Sequence, residues 1–194
     1  MAERSATVIA LLGAESTGKT TLAAALASRL AADTGLAVAW VPEWLREWCG
    51  RRGRTPRADE QADIARTQHQ RIDAAAVGHA LVIADTTALS TAVYSRLLFG
   101  DDTLRSHAVA LHRSVALTLL TAPDLPWVAD GLQRDGPAMR GPVDTALREL
   151  LLEHALPWAP VAGHGAARLE AALDALAPVL QALRGARALD RGGR

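Results

Sequence analysis

A 194-residue chain with 21 basic and 21 acidic side chains has no net charge, which excludes a molecule that gathers polyanions by its overall field. With 49% hydrophobic and 22% charged residues its composition is that of an ordinary globular protein, and its length fits one domain with a real core. The single cysteine, Cys49, cannot form an internal disulfide, and the opening "MAERSATVIALLG" holds only a short apolar run, so a cytoplasmic protein without a membrane span is expected.

Taken in chain order, apolar runs alternate with helix-like stretches. Residues 6–12, "ATVIALL", form a continuous apolar run closed by glycine, the pattern of a buried strand. "TTLAAALASRLAAD" has helical spacing and stops before Gly35. Residues 36–41, "LAVAWV", predict a second strand ended by Pro42, and residues 50–57 a basic loop. Thr55-Pro56 predicts a helix start with proline at the first helical position, the helix running to Gly78. Strands are predicted at 80–85, 115–122 and 158–163, and helices at 88–99, 102–112, 143–155 and 166–184. Between the fourth strand and its helix lies a Pro/Gly-rich stretch, 123–142, and residues 185–194 are expected to fray. Fully apolar strands alternating with helices predict an α/β fold: one domain over residues 1–184 with a five-stranded parallel sheet covered on both faces. Ligands of such sheets lie beyond the carboxyl ends of the strands.

The residues just after the first strand read Gly13-Ala-Glu15-Ser16-Thr17-Gly18-Lys19-Thr20, which fits G-x-x-x-x-G-K-[ST], the phosphate-binding loop of P-loop NTPases. Backbone N–H groups wrap the phosphate chain, glycines permit the tight curvature, and the following helix N-terminus adds unpaired donors. Lys19 is the only lysine; the other 20 basic residues are arginine. A narrow cradle explains the exception, because a compact ammonium fits where a planar guanidinium does not. Thr20 offers a hydroxyl to Mg²⁺, and Asp85, ending the third strand, either holds that metal or caps the next helix.

Three features bear on what receives the phosphate. Glu43, just after the second strand, is either a base for an acceptor hydroxyl or a first-turn helix glutamate. Trp44 and Trp48 lie four apart on one helical face, near Trp40, and either stack on a flat ring or form core. Arg134 and Arg140, set among glycines and prolines, fit an arginine-bearing lid over the phosphates, or else a solvated loop. The run Arg51, Arg52, Arg54, Arg57 has no interleaved aromatics, so nucleic acid is not the expected partner. The six histidines show no metal spacing with cysteine.

The set "GAESTGKTTL", "VPEWLREW", "DEQADIARTQ", "IADTTALSTAVY", "LTLLTAPDLPWVADGLQRD" and "VAGHGAARL" resembles, over residues 6–175, the ribosylnicotinamide kinase domain of NadR-type bacterial NAD-salvage proteins. The resemblance implies transfer of the ATP γ-phosphate, with Mg²⁺, to the 5′-hydroxyl of nicotinamide riboside, giving nicotinamide mononucleotide. It puts the ATP phosphates on Gly13 to Thr21 and the loop from Gly163 to Arg168 near adenine. It sets Glu43, Trp44, Arg46 and Asp85 at the riboside, with Trp127 and Asp130 beside it, and makes the segment from Asp130 through Arg134 to Arg140 the lid. Two positions depart from the family. Asp85-Thr86-Thr87 stands where the family often has Asp-Thr-Asp, and Trp44-Leu45 where it tends to have tyrosine and alanine. The larger members also carry an adenylyltransferase domain with an H-x-G-H motif, which this sequence lacks, so a stand-alone kinase is expected. A kinase for another nucleoside or vitamin-like alcohol, or a nucleotide-dependent regulatory ATPase, are the alternative readings. None of these features encodes an oligomeric state.

Overall fold

The computed structural model describes residues 6–129 and 136–192, with side chains as far as residue 186. Five strands, β1 (Thr7–Leu12), β2 (Val38–Val41), β3 (Leu81–Asp85), β4 (Val115–Thr121) and β5 (Trp158–Val161), form one parallel sheet in the order β2-β3-β1-β4-β5. The helices are α1 (Lys19–Thr34), α2 (Trp44–Arg52), α3 (Gln61–Ala76), α4 (Ala88–Phe99), α5 (Arg105–His112), α6 (Arg140–Glu153) and α7 (Gly165–Gly192). This is the α/β P-loop NTPase architecture that the alternating pattern predicts.

The central strand shows why the sequence needs helices on both faces. Side chains alternate along a strand, so β1 sends Ile9 and Leu11 to one side and Val8, Ala10 and Leu12 to the other. Ile9 and Leu11 pack against Leu22, Leu26 and Leu30 of α1 and Leu176 of α7. Leu12 packs in a second cluster with Leu89 and Val93 of α4 and Leu147 of α6, and Val8 and Ala10 lie with Ile72 of α3 in a third. Each such Leu or Ile contributes roughly 1.5–3 kcal/mol by leaving water. With β3 and β4 on either side of β1, the loop after Leu12 opens between the carboxyl ends of both neighbours.

Several boundaries differ from the sequence expectation: α2 runs to Arg52 into the expected loop, α5 opens at Arg105 and α6 covers Arg140–Glu153. Two further differences have local causes. The helix does not begin at Pro56. Arg57 is extended, a single 3₁₀ turn covers Ala58–Glu60, and α3 follows. The cause is Glu60, whose carboxylate accepts the Arg57 N–H and is gripped by both terminal nitrogens of Arg54. That fork fixes the entry to the helix and leaves Thr55 and Pro56 to line a cavity. At the other end, α7 continues to Gly192 instead of stopping near 184. The tail "GARALDRGG" has no proline, and alanine, leucine and arginine favour helix enough to carry the turn past Gly185.

Candidate active site

The loop after β1 is shaped by two glycines. Gly13 passes so close to β4 that a Cβ there would lie 2.2 Å from the Thr121 hydroxyl and 2.8 Å from its carbonyl oxygen. Gly18, with φ +75°, turns the chain into α1. Around them the hydroxyls are tied inward. Thr17 Oγ1 donates to the Ala14 carbonyl at 2.8 Å and shares a 2.7 Å bond with Thr121 Oγ1. Ser16, also in the left-handed region at φ 54°, donates to the Val128 carbonyl at 2.6 Å and accepts from the Val128 N–H at 3.3 Å. The loop is thereby pinned to the stem of the Pro/Gly-rich segment.

Lys19 opens α1, and its Nζ donates to the Ala14 carbonyl at 2.7 Å, closing the loop on itself. Burial lowers its pKa, opposed by the carboxylates of Glu43, Asp85 and Glu15. The adjacent Thr20 hydroxyl donates to Asp85 Oδ2 at 2.6 Å. Asp85 is fully buried, and among the described residues its Oδ1 has no hydrogen-bond partner. Burial raises its pKa, while the Thr20 bond, Lys19 and Arg46 oppose the rise. A hydroxyl and a carboxylate meeting at the foot of the phosphate loop, one oxygen still open, form a donor set that fits Mg²⁺. Thr21 follows on the exposed side of α1.

Beside the loop lies a cavity of about 350 Å³. Gly13, Glu15, Ser16 and Lys19 form one wall, and Glu43 and Arg46 of the β2–α2 turn another. Glu43 caps α2 through its backbone geometry, with no side-chain cap bond, and lies 3.8 Å from Arg46. The apolar wall is Leu45, Ile64, Tyr94, Leu98 and Phe99, and Gln61, Gln68, Thr86, Thr91 and Val128 are among the other residues that line the cavity. The chain's one tyrosine and one phenylalanine thus face the cavity, whereas Trp44 does not line it. Trp44 is taken up by cation–π stacking, 4.3 Å from Arg71 and 5.3 Å from Arg51, both of which pair with Glu47. Trp48 stacks likewise on Arg52 and Arg54. Trp127 is half-buried outside that lining, and among the described residues its indole nitrogen has no partner. Asp130 and Arg134 lie outside the described residues. Arg140 opens α6 and donates to the Leu125 carbonyl at 2.9 Å, and the Leu125 side chain packs so close to Gly18 that a Cβ there would lie 3.0 Å from Leu125 Cδ1.

Three residues shape this end of the sheet that the sequence reading did not weigh. Gln68, buried on α3, accepts from the Trp44 N–H at 2.7 Å and turns its amide nitrogen to the Thr86 carbonyl, so it ties the ends of β2 and β3 together. Its place two turns into an apolar-patterned helix was the signal: a glutamine on the core face needs partners. His112 is the second. Thr87 does not open into the cavity, and the expectation that it replaces a site carboxylate is corrected: its hydroxyl meets His112 Nδ1 at 3.0 Å, and His112 Nε2 meets Thr118 at 2.7 Å. It is Thr86 that lines the cavity. The third is Asp124. Arg168, expected near adenine, is 3% exposed and bonds Asp124, the Gly163, Thr17 and Ala122 carbonyls, at 2.6–3.0 Å.

No helix among the described residues is long and apolar enough to cross a membrane. Residues 8–168 match the AAA domain family. No curated protein sequence matches the chain. Among solved structures, the fold is similar to that of a NadR protein in complex with NAD and AMP-PNP, at 20% identity and TM-score 0.68, covering 88% of this chain and 48% of that one. It is similar to a NadR protein in complex with NR, at 22% identity and TM-score 0.70, covering 88% and 50%. It is also similar to thymidylate kinase from Ehrlichia chaffeensis, at 16% identity and TM-score 0.56, covering 84% and 89%. The chain spans about half the length of the NadR chains it matches. What is shared is the fold, a parallel α/β sheet.

Proposed function

This chain belongs to the AAA domain family, and on that premise we propose that it is a cytoplasmic ATP-dependent kinase that phosphorylates nicotinamide riboside at its 5′-hydroxyl. The observation that carries this reading is one cavity walled by the P-loop lysine, by Glu43 and by Tyr94 and Phe99. A phosphate cradle, a candidate base and an aromatic wall thus share a space large enough for a nucleoside. The fold likeness to a NadR protein in complex with NR supports the choice of acceptor.

In this reading the amides of Gly13 to Thr21, with Glu15, Ser16, Thr17 and Gly18 forming the turn, hold the triphosphate of ATP. Lys19 leaves the Ala14 carbonyl for the β- and γ-phosphates. Thr20 and Asp85 would hold Mg²⁺, which when bound neutralises charge on the phosphate oxygens. Glu43 and Arg46 line the space for the riboside, Asp85 lies behind it at the metal position, and Trp44 backs the turn that carries Glu43. Glu43 is favoured over Asp85 as the base because it lines the cavity, while Asp85 is occupied by Thr20. The acceptor oxygen bonds to the γ-phosphorus as the bridging oxygen–γ-phosphorus bond breaks. ADP departs with that electron pair, and the hydroxyl proton passes to Glu43. Arg134, Arg140, Trp127 and Asp130 belong to the segment that would cover the phosphates and exclude water.

The test is phosphorylated product from a panel of nucleosides and vitamin-like alcohols with magnesium ATP. Rapid turnover of nicotinamide riboside, falling steeply in kcat for Glu43→Gln with little change in ATP affinity, is expected. Turnover of another alcohol alone would reassign the acceptor. ATP hydrolysis indifferent to every alcohol would make the protein a nucleotide-dependent regulator.

A further inference from the structure

Arginine is the wrong residue to bury unless its donors are spent, because an isolated charge loses its hydration. Arg168, in the first turn of α7, spends both terminal nitrogens, although among the described residues its buried Nε has no partner. One donates to Asp124 Oδ1 at 2.7 Å and the Gly163 carbonyl at 2.6 Å, the other to the Thr17 carbonyl at 2.8 Å and the Ala122 carbonyl at 3.0 Å. Asp124 also accepts the Gly163 N–H at 2.6 Å through its second oxygen. One guanidinium therefore joins the phosphate loop to the segments that follow β4 and β5.

The Thr17 bond has a geometric consequence. No peptide bond among the described residues is cis, and in a trans peptide the carbonyl and the N–H point in opposite directions. Holding the Thr17 carbonyl against Arg168 therefore turns the Gly18 amide the other way. Gly18, at φ +75° and without a side chain, is free to rotate that peptide in the absence of such a tie. We propose that Arg168 is a positioning residue: paired with Asp124, it fixes the Thr17–Gly18 peptide so that the phosphate cradle is preformed before nucleotide arrives. This rests on the nucleotide-binding reading above. It assigns Arg168 an action through the backbone of the loop, with no contact to the purine.

The pair is electrostatically matched. Burial alone would raise the Asp124 carboxyl, but the Arg168 and Gly163 hydrogen bonds outweigh it and hold the group below the ordinary range. Arg168→Lys keeps charge but cannot serve four acceptors lying on two sides of a planar fork.

Calorimetric titration with magnesium ATP, run beside thermal unfolding, tests the proposal on wild type, Arg168→Ala, Arg168→Lys and Asp124→Asn. Losing one charge-assisted bond to the loop should weaken ATP binding by roughly tenfold to a hundredfold in Arg168→Ala. Arg168→Lys should recover little of it, and Asp124→Asn should show a smaller loss of the same kind. KM for ATP should rise while KM for the acceptor stays within about twofold, and guanidinium ion at sub-denaturing concentration should restore part of ATP affinity in Arg168→Ala. Unchanged ATP affinity in a folded Arg168→Ala, equal losses toward ATP and acceptor, or, if that variant does not fold, wild-type affinity in both Arg168→Lys and Asp124→Asn, would overturn the proposal. Absence of ATP binding by wild type would instead remove the kinase reading itself.

Discussion

The Thr20 hydroxyl donates to Asp85 at 2.6 Å, joining the first turn of α1 to the carboxyl end of β3. Asp85 keeps a second buried oxygen without a partner among the described residues, and in the proposed function the two side chains would hold Mg²⁺. Asp85→Asn replaces one acceptor oxygen by a donor and removes the charge. The magnesium concentration for half-maximal turnover should rise about tenfold or more. Superimposable magnesium titrations of the two proteins would refute the assignment.

Lys19 meets the loop through a single acceptor, the Ala14 carbonyl, in a space where Glu43, Asp85 and Glu15 offset the cost of burying it. A guanidinium is wider and plane-bound, so Lys19→Arg should behave like Lys19→Ala. Both should lose turnover by on the order of a hundredfold or more while remaining folded by circular dichroism. Near wild-type rates in Lys19→Arg would disprove the size argument.

Gly13→Ala drives a methyl group into Thr121. The substituted Cβ meets both the hydroxyl and the carbonyl of that residue, and the carbonyl belongs to β4 and cannot swing away. The expected cost is about 2 kcal/mol or more, read as a lowered midpoint in urea unfolding. Thr121→Ala in the same background should recover only part of it, because the carbonyl remains.

His112 is buried between Thr87 and Thr118, and burial pushes its pKa from 6.5 down to about 4. The unfolded chain therefore takes up a proton at a pH where the folded chain does not. Stability from this group is complete above pH 6.5 and declines as pH falls toward about 4, for a total of about 3 kcal/mol. Urea unfolding across that interval should show a slope that His112→Asn removes. An equal slope in both proteins would assign the acid sensitivity to other groups.

Much of this architecture is written locally. The strands are short, predominantly apolar runs whose few polar residues, Thr7, Asp85, Thr118 and Thr121, do not break the pattern, and G-x-x-x-x-G-K-T after the first of them points to phosphate binding. What pattern reading handles poorly is direction. Trp44 and Trp48 have the spacing of a ligand-stacking face, yet their rings are claimed by arginines 7, 27, 4 and 6 positions away, which only the folded chain brings together. Tyr94 and Phe99 carried no local signal, because α4 is apolar nearly all round and its buried face cannot be separated from its cavity face. Arg168 looked like a loop cation because the acceptors that bury it are mostly backbone carbonyls, which sequence does not display. Pro56 favoured a helix start, but the Arg54–Glu60 fork leaves a 3₁₀ turn at Ala58 and moves the α-helical start five residues on, to Gln61.

The orientation of Thr87 also bears on redesign. Its side chain is committed to the imidazole behind it, so a mutational library aimed at a new acceptor gains nothing there and risks unmooring α4. Thr86, Thr91, Tyr94 and Leu98 are the neighbours that face the cavity. Effort to change what the cavity admits belongs on that stripe, which begins one step along the chain from Thr87.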